Sequence, residues 1–468
     1  MGRKFIGIDI GTTFLKGAVI DLEHITVGAP VRVAFPPFIT GLPASHREVD
    51  PNTIVGAVQE LILKLHASTP DCDGIVMCTQ MHGLVLADRN GNALSNAITW
   101  QDERTLDADA DSHQSTYSLM MAQISEQERL ALGNDLLPGR PLGALYWMQQ
   151  HDTGRVDSTA DEVYPCSIAD FVAAHLCRTG PVTDASNAAA HGAYNLHTAD
   201  WHHEIISRLR LDHYAWPRIV PYNTVVGYTD MAGHSIPCYV PTGDHQCAVL
   251  GTLLGEDELS INASTGSQVG MLTSRFEASL ACQTRPYFDG KFLKAVIHIP
   301  AGRALAALIR LLSELADAQG VSLPDPWAYV ERTSLARADT DLRMNLAFFP
   351  SSCGDRGSID NITEGNLTIG DLFAAACENM AHNYFECAGR IAARHPWSRL
   401  VFSGGLMRRL TVLRQSTIRR FGLDCRFAPS DEDTLLGLLV IALMCSGQCA
   451  TAREASRLVA ESTRTTVS

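Results

Sequence analysis

"KFIGIDIGTTFLKGAVID", residues 4–21, decides how this chain is read. Apolar and glycine residues run up to Asp9, a Gly-Thr-Thr corner follows at 11–13, and a second apolar run carries Lys16. The pattern predicts two strands joined by a tight turn, with a carboxylate at the end of the first. Gly11, Thr12 and Thr13 would offer closely spaced backbone N–H donors and hydroxyls, a nest for phosphate oxygens. Asp9 beside them suits a hydrated Mg²⁺, which needs only one or two carboxylates plus phosphate, and Lys16 adds a point charge. Two rival phosphate motifs are missing: there is no GxxxxGK[ST], and no GxGxxG opens a helix. The plainer alternative is a hairpin whose Asp only caps backbone N–H groups.

Outward from this stretch, the totals bound the answer. A chain of 468 residues exceeds what one hydrophobic core usually organises, so two domains are expected, 1–235 and 236–468. With 46% hydrophobic and 19% charged residues, the composition is that of a folded globular protein. A net charge of -14 with no Lys/Arg run argues against a nucleic-acid partner. No apolar stretch reaches membrane-span length, and the N-terminus enters a strand without an apolar leader. The 13 cysteines are scattered without CxxC pairs, so buried free thiols in a reducing, cytoplasmic setting are expected rather than a metal or disulfide framework.

Along the chain, "DPNTIVGAVQELILKLHAS" predicts a helix capped by Asp50, with Ile54, Val58, Leu61, Ile62 and Leu65 on one face. "GIVMCTQMHGLVLADRNGN" reads as strand, polar corner, strand and Asn-Gly turn. After a Pro/Gly-rich break at 233–251, "ELSINASTGSQVGMLTS" repeats the logic of residues 4–21. Ile261-Asn262-Ala263-Ser264-Thr265-Gly266 parallels Ile8-Asp9-Ile10-Gly11-Thr12-Thr13. Long helical patterns follow in both halves, such as "TIGDLFAAACENMAHNYFECAGRIAARH". The expected class is α/β, two similar layered domains each offering a hydroxyl-and-glycine hairpin to a shared cleft.

Two further stretches carry chemistry. In "PTGDHQCAVLG", Asp244 precedes a helical run, Cys247 to Leu254, where a carboxylate could take a proton from a substrate hydroxyl. The plainer reading is a helix N-cap. In "TQMHG" and "ITWQDER", Gln80, His82, Trp100, Asp102 and Arg104 put hydrogen-bonding groups beside an indole, the mix a polyhydroxylated sugar requires. His197, His202 and His203 lack a convincing set of ligand partners and read as surface residues.

In this order, "GIDIGTTFLKGAVID", "TQMHG", "TWQDER", "TDASNAAAHGAYN", "TGDHQCAVLG", "NASTGSQVG", "FFPSSCGDRGS", "FSGGLMRRLTVLRQ" and "DEDTLLGLLVIAL" resemble the FGGY family of carbohydrate kinases over nearly the full chain. The resemblance implies two actin-like ATPase (ribonuclease H-like) domains around a deep cleft, with ATP and Mg²⁺ as cofactors and a small-molecule sugar as the other substrate. The sugar would sit mainly on the first domain and ATP mainly on the second, with the last residues packing back on the first. It implies Asp244 as the catalytic base and Asp9 as the metal-associated carboxylate. Gly11, Thr12 and Thr13 match the first phosphate loop and Ser264, Thr265 and Gly266 the second. Gly404 and Gly405 match the turn against the adenosine, and Met81, His82, Trp100, Asp102 and Arg104 the sugar pocket. Within the family the ketose kinases look most similar, through "QMHG", "TWQDER", "SNAAAHGAYNLHTADWH" and "TRPYFDGKFL". Sedoheptulose is the first expected substrate and D-xylulose its rival; a catalytically silent ATP- and sugar-binding sensor is the alternative of another class. Members of the family are often homodimers. Three positions depart from the family: Ala144 where lysine is usual, Leu410 where asparagine is usual, and Asp355 where glutamate is commoner.

Overall fold

The computed structural model describes residues 3–108, 113–151, 162–231 and 233–465. The opening stretch forms β1 (Lys4–Ile10) and β2 (Phe14–Asp21), antiparallel from Lys4 opposite Asp21 to Ile10 opposite Leu15. Strand Cys72–Thr79 lies parallel to β1 on its other side, and strand Val31–Ala34 pairs with β2. The second half repeats this plan. Strands Glu258–Ala263 and Ser267–Thr273 form an antiparallel hairpin, Arg399–Ser403 runs parallel to the first of them, and Phe292–Ile299 pairs with the second. Each half is thus a mixed sheet centred on a hairpin of the same hand of logic, as the likeness of residues 8–13 and 261–266 predicts.

Strand alternation decides what each face buries. Ile6, Ile8 and Ile10 point to a core closed by α1 (Pro51–His66) and the helix Ile168–Cys177. Asp50 caps α1 by accepting from the Asn52 N–H, Pro51 occupies its first turn, and the predicted apolar face is the buried one. Phe5, on the opposite face of β1, meets Ala18, Ile20, Val76 and the helix Asp433–Cys445. That helix is buried on almost every side from Leu435 to Met444, so it is a core element rather than an amphipathic cover. A Cβ on Gly7 would lie 3.4 Å from Leu438 Cβ and 2.6 Å from Ile20 Cδ1. A chain segment some 400 residues later in sequence therefore closes the sheet that the N-terminus begins.

The helix Asp244–Gly251 packs against Asp433–Cys445 at a backbone-close crossing. A Cβ on Gly251 would fall 1.8 Å from the Asp433 carbonyl oxygen, and one on Gly437 2.0 Å from that of Cys247. Glycine at both positions is what lets the two helices pack this closely. Among the described residues no helix is long and apolar enough to cross a membrane, and the cysteines are all free.

Candidate active site

Asp9 lies on the odd-numbered face of β1, beneath the N-terminus of Asp433–Cys445. Its Oδ2 accepts a 2.7 Å hydrogen bond from Thr434 Oγ1. Burial raises its pKa, opposed by Thr434 and by the charge of Lys16. Lys16 does not stand free beside the turn: its Nζ is 2.7 Å from Glu432, which also pairs with Arg32. The turn itself, Gly11 to Thr13, is partly exposed. Gln80 and Trp100 come to it, Gln80 Nε2 donating to the Gly11 carbonyl at 3.3 Å and Trp100 Nε1 to Thr12 Oγ1 at 3.2 Å.

Asp244 is the first residue of its helix; Gly243 occupies the cap position without a side-chain bond. The helix starts three residues before the predicted run, and Asp244 is therefore not a capping aspartate. Its carboxyl is pushed up to about 7, first by burial and then by repulsion from Asp9. The N–H groups of His245 and Met81 and the charge of Arg285 pull the other way. Asp9 offers carboxylate oxygens at the end of this sheet, the ligand type a hard divalent cation prefers. Met81 is buried against Gly243. His82 sits at φ 68° with Nδ1 2.9 Å from the Ala190 carbonyl, and burial with the nearby Arg140 charge keeps its ring neutral.

Asp102 and Arg104 are placed otherwise than a sugar contact requires. Arg104 is 1% exposed; its Nε and Nη2 donate to Asp102, and Nη2 also to Glu48 at 2.6 Å. Asp102 in turn accepts from the Arg47 N–H. The pair is spent on an internal ion network that ties the segment around 100–104 to that around 47–48.

In the second half, Ser264, Thr265 and Gly266 form an exposed turn whose carbonyls at 264 and 265 accept from Gly302 and Arg303. Gly404, at φ 84°, lies against it so closely that a Cβ would be 2.3 Å from the Ala263 oxygen and 2.7 Å from Ser264 Oγ. Gly405 faces open space. The structure thus joins these five residues into one surface. Leu410 is wholly buried among Val412, Leu413 and their neighbours, so its departure from the family pattern is absorbed by core packing. Ala144 is buried on the helix Pro141–His151, and Asp355 is exposed.

The sequence reading missed His245, Arg285, Asp135, Arg140 and Thr434. Arg285 donates to Asp135 at 2.7 Å and meets His245 at 2.6 Å, and Arg140 reaches the same carboxylate at 2.8 Å. His245, Arg285 and Thr434 lie inside motifs quoted above; His245 adjoins Asp244 in sequence, but only folding brings Arg285 to it and Thr434 to Asp9. His202 is a second correction: it is buried, and its ring approaches Glu128 and Glu204. Arg208 and Ser125 already bind the Glu128 carboxylate, holding it down to about 2, so that cluster is an ion pair.

Residues 4–251 match the family model described as FGGY family of carbohydrate kinases, N-terminal domain. A sedoheptulokinase of Homo sapiens is 23% identical over 485 aligned positions, covering 94% of this chain and 97% of that protein. Among solved structures, a gluconate kinase from Lactobacillus acidophilus superposes with a TM-score of 0.83 at 19% identity, over 98% of this chain and 92% of the other. A ligand-bound xylulose kinase from the same organism gives 0.82 at 20% identity, over 97% and 92%. At these identities the structural likeness speaks for the fold, two actin-like α/β domains.

Proposed function

This chain belongs to the FGGY family of carbohydrate kinases, and from that premise we propose that it transfers the γ-phosphoryl group of ATP to a terminal primary hydroxyl of a ketose. Sedoheptulose is the first candidate and D-xylulose the second. The observation that carries the reading is Asp244: a carboxyl on the first turn of a helix, its pKa pushed up to about 7 by burial and by repulsion from Asp9. A general base works best when its pKa lies near the working pH.

Phosphoryl transfer asks a protein for positioning and charge neutralisation more than for covalent chemistry. In our reading Asp244 accepts the hydroxyl proton as the sugar oxygen attacks the γ-phosphorus, and the bond from that phosphorus to the bridging oxygen of ADP breaks. Asp9, steadied by Thr434, would hold a Mg²⁺ ion, which when bound supplies neutralisation of phosphate charge. Backbone N–H groups and hydroxyls of Gly11 to Thr13 and of Ser264 to Gly266 would hold the phosphate oxygens. Gly405 would leave room for the adenosine to lie against backbone, and Gly404 lets that backbone close on Ala263 and Ser264. Met81, His82, Gln80 and Trp100 form the sugar side; Asp102 and Arg104 support that wall from within. Closing the cleft would exclude water, which competes for the phosphoryl group.

The test is ADP release from Mg·ATP with sedoheptulose, D-xylulose, D-ribulose, L-ribulose, glycerol and no sugar, with Asp244→Ala as control. Strong stimulation by one ketose, lost in the variant, is expected. Stimulation by glycerol alone would overturn the ketose reading, and full activity in Asp244→Ala would overturn the base.

A further inference from the structure

His245 follows Asp244 on the first turn of the same helix. Its Nδ1 lies 2.6 Å from Arg285 Nη1. A guanidinium donates and never accepts, so Nδ1 must be the acceptor and the ring proton sits on Nε2. Arg285 is itself clamped. Its Nε and Nη2 donate to the two oxygens of Asp135 at 2.7 and 3.2 Å, and Arg140 binds the same carboxylate. Asp135, Arg140 and Arg285 are all buried, and two cations against one carboxylate leave an excess of positive charge beside the imidazole. Burial and Arg285 together hold the His245 pKa down to about 3, which agrees with a neutral ring.

Nε2 is the unclaimed end of this chain of contacts. No described residue bonds to it, and it is not among the polar atoms sealed from solvent. An oriented N–H donor therefore stands on the residue that follows the carboxyl assigned as base, and both groups feel the charge of Arg285. The chain that orients it also crosses the molecule: Asp135 and Arg140 belong to the first half, while Arg285 lies on strand Gln283–Pro286 of the second sheet.

We propose that Asp135 and Arg285 are positioning residues that fix His245 as a neutral Nε2–H donor, aimed at the oxygen on the carbon next to the hydroxyl that is phosphorylated. This rests on Asp244 being the base. Its consequence is specificity. A sugar lacking that neighbouring oxygen would leave the donor unpaired in a closed pocket and would be rejected. The contact also exists only while the two halves are apposed, so sugar recognition and cleft geometry depend on the same guanidinium.

The experiment has two arms on full-length protein. In the first, [¹⁵N]histidine-labelled protein is examined by NMR, with His245→Gln to assign the His245 signals. The expected result is an unprotonated Nδ1 and a protonated Nε2 in the wild type, becoming a tautomer average in Arg285→Met. A protonated Nδ1 in the wild type would overturn the proposal. In the second, sugar-stimulated ADP release is measured for Arg285→Met, Arg285→Lys, His245→Phe, His245→Gln and the Arg285→Met/His245→Phe double variant. His245→Phe and Arg285→Met should each raise the KM for sugar about tenfold, with the KM for ATP within about twofold. The double variant should be no worse than either, because both act through one atom. His245→Gln, which keeps an N–H, and the milder Arg285→Lys should recover part of the loss. The wild type's preference over an analogue lacking the neighbouring hydroxyl should shrink in His245→Phe. Additive losses, or equal rises in both KM values, would mean that Arg285 serves structure alone and would overturn the proposal. A wild type that no sugar stimulates would overturn the proposed function and the sugar contact with it, whereas the tautomer result does not depend on turnover.

Discussion

At the scale of single residues, Asp244 holds two demands in opposition. Stability favours its proton and catalysis requires the proton's absence. Its folded pKa of about 7 stands above the ordinary carboxylate value of 3.8. The native state thus binds the proton more tightly than the unfolded chain, and the stabilising protonated form is fully present below pH 3.8 and lost as pH rises towards 7. Asp244→Asn should flatten that loss, and thermal melts of the two proteins between pH 5 and pH 8 would reveal it as a widening advantage for the variant. Activity must run the other way. The wild-type kcat/KM should climb with pH through about 7, while Asp244→Asn should lose turnover by about 10² to 10⁴ with its fold unchanged. A wild-type profile flat from pH 5 to pH 8 would remove Asp244 from the role of base. Residue types near this site were legible in the sequence to unequal degrees. Asp9 and Asp244 were visible because one stands near a strand's end just before a glycine turn and the other opens a helix after glycine. Asp102 and Arg104 misled because an i, i+2 charge pair next to an indole looks the same whether it faces a sugar or, as here, Glu48 inside the protein.

At the scale of elements, the crossing of Asp244–Gly251 over Asp433–Cys445 helps to set Thr434 against Asp9. Gly251 and Gly437 each stand where a methyl group would overlap a carbonyl oxygen of the other helix. Gly437→Ala should therefore force the helices apart, at a cost of about 1–3 kcal/mol for overpacking. Because Thr434 rides on the displaced helix, turnover should fall as well. Urea unfolding and ADP release would check both, and a variant as stable and as active as the wild type would show that the crossing has slack. Thr434→Val isolates the second effect. It removes the hydroxyl bonded to Asp9 while keeping the side-chain volume, so activity should drop with a loss of only about 1 kcal/mol in stability. The sequence displayed "DEDTLLGLLVIAL" as an apolar run, and the run's burial on nearly all sides explains why no amphipathic face marked its packing partner. Periodicity reports which side of an element is wet. It says nothing of which element four hundred residues away will cover the dry one.

At the scale of the whole molecule, the repeat of one hairpin in two halves was legible, since Asp9 and Asn262 stand next to last in corresponding strands before similar turns. The seam joining the halves was not, because its residues are ordinary in isolation. Segment 133–135 docks on segment 280–285 through four contacts: the Thr284 N–H donates to the Gly133 carbonyl at 2.8 Å, Asn134 Nδ2 reaches the carbonyls of Leu280 and Cys282, and Arg285 clasps Asp135. Gly133 is required there twice over. It adopts φ 71°, and a Cβ would fall 2.0 Å from the Thr284 oxygen. If sugar and nucleotide occupy opposite sides of the cleft, each ligand gains from the other only as far as this seam holds the two sides in one arrangement. Coupling of that kind is typically 5- to 150-fold and must be reciprocal. Gly133→Val should spread the seam, so that affinity for a non-hydrolysable ATP analogue, measured by calorimetry with and without sugar, loses most of its dependence on the sugar. The distant faces of both sheets, untouched by the change, should keep the variant folded. Undiminished coupling in a folded Gly133→Val protein would mean that the halves communicate elsewhere, through the helices that meet above Asp9.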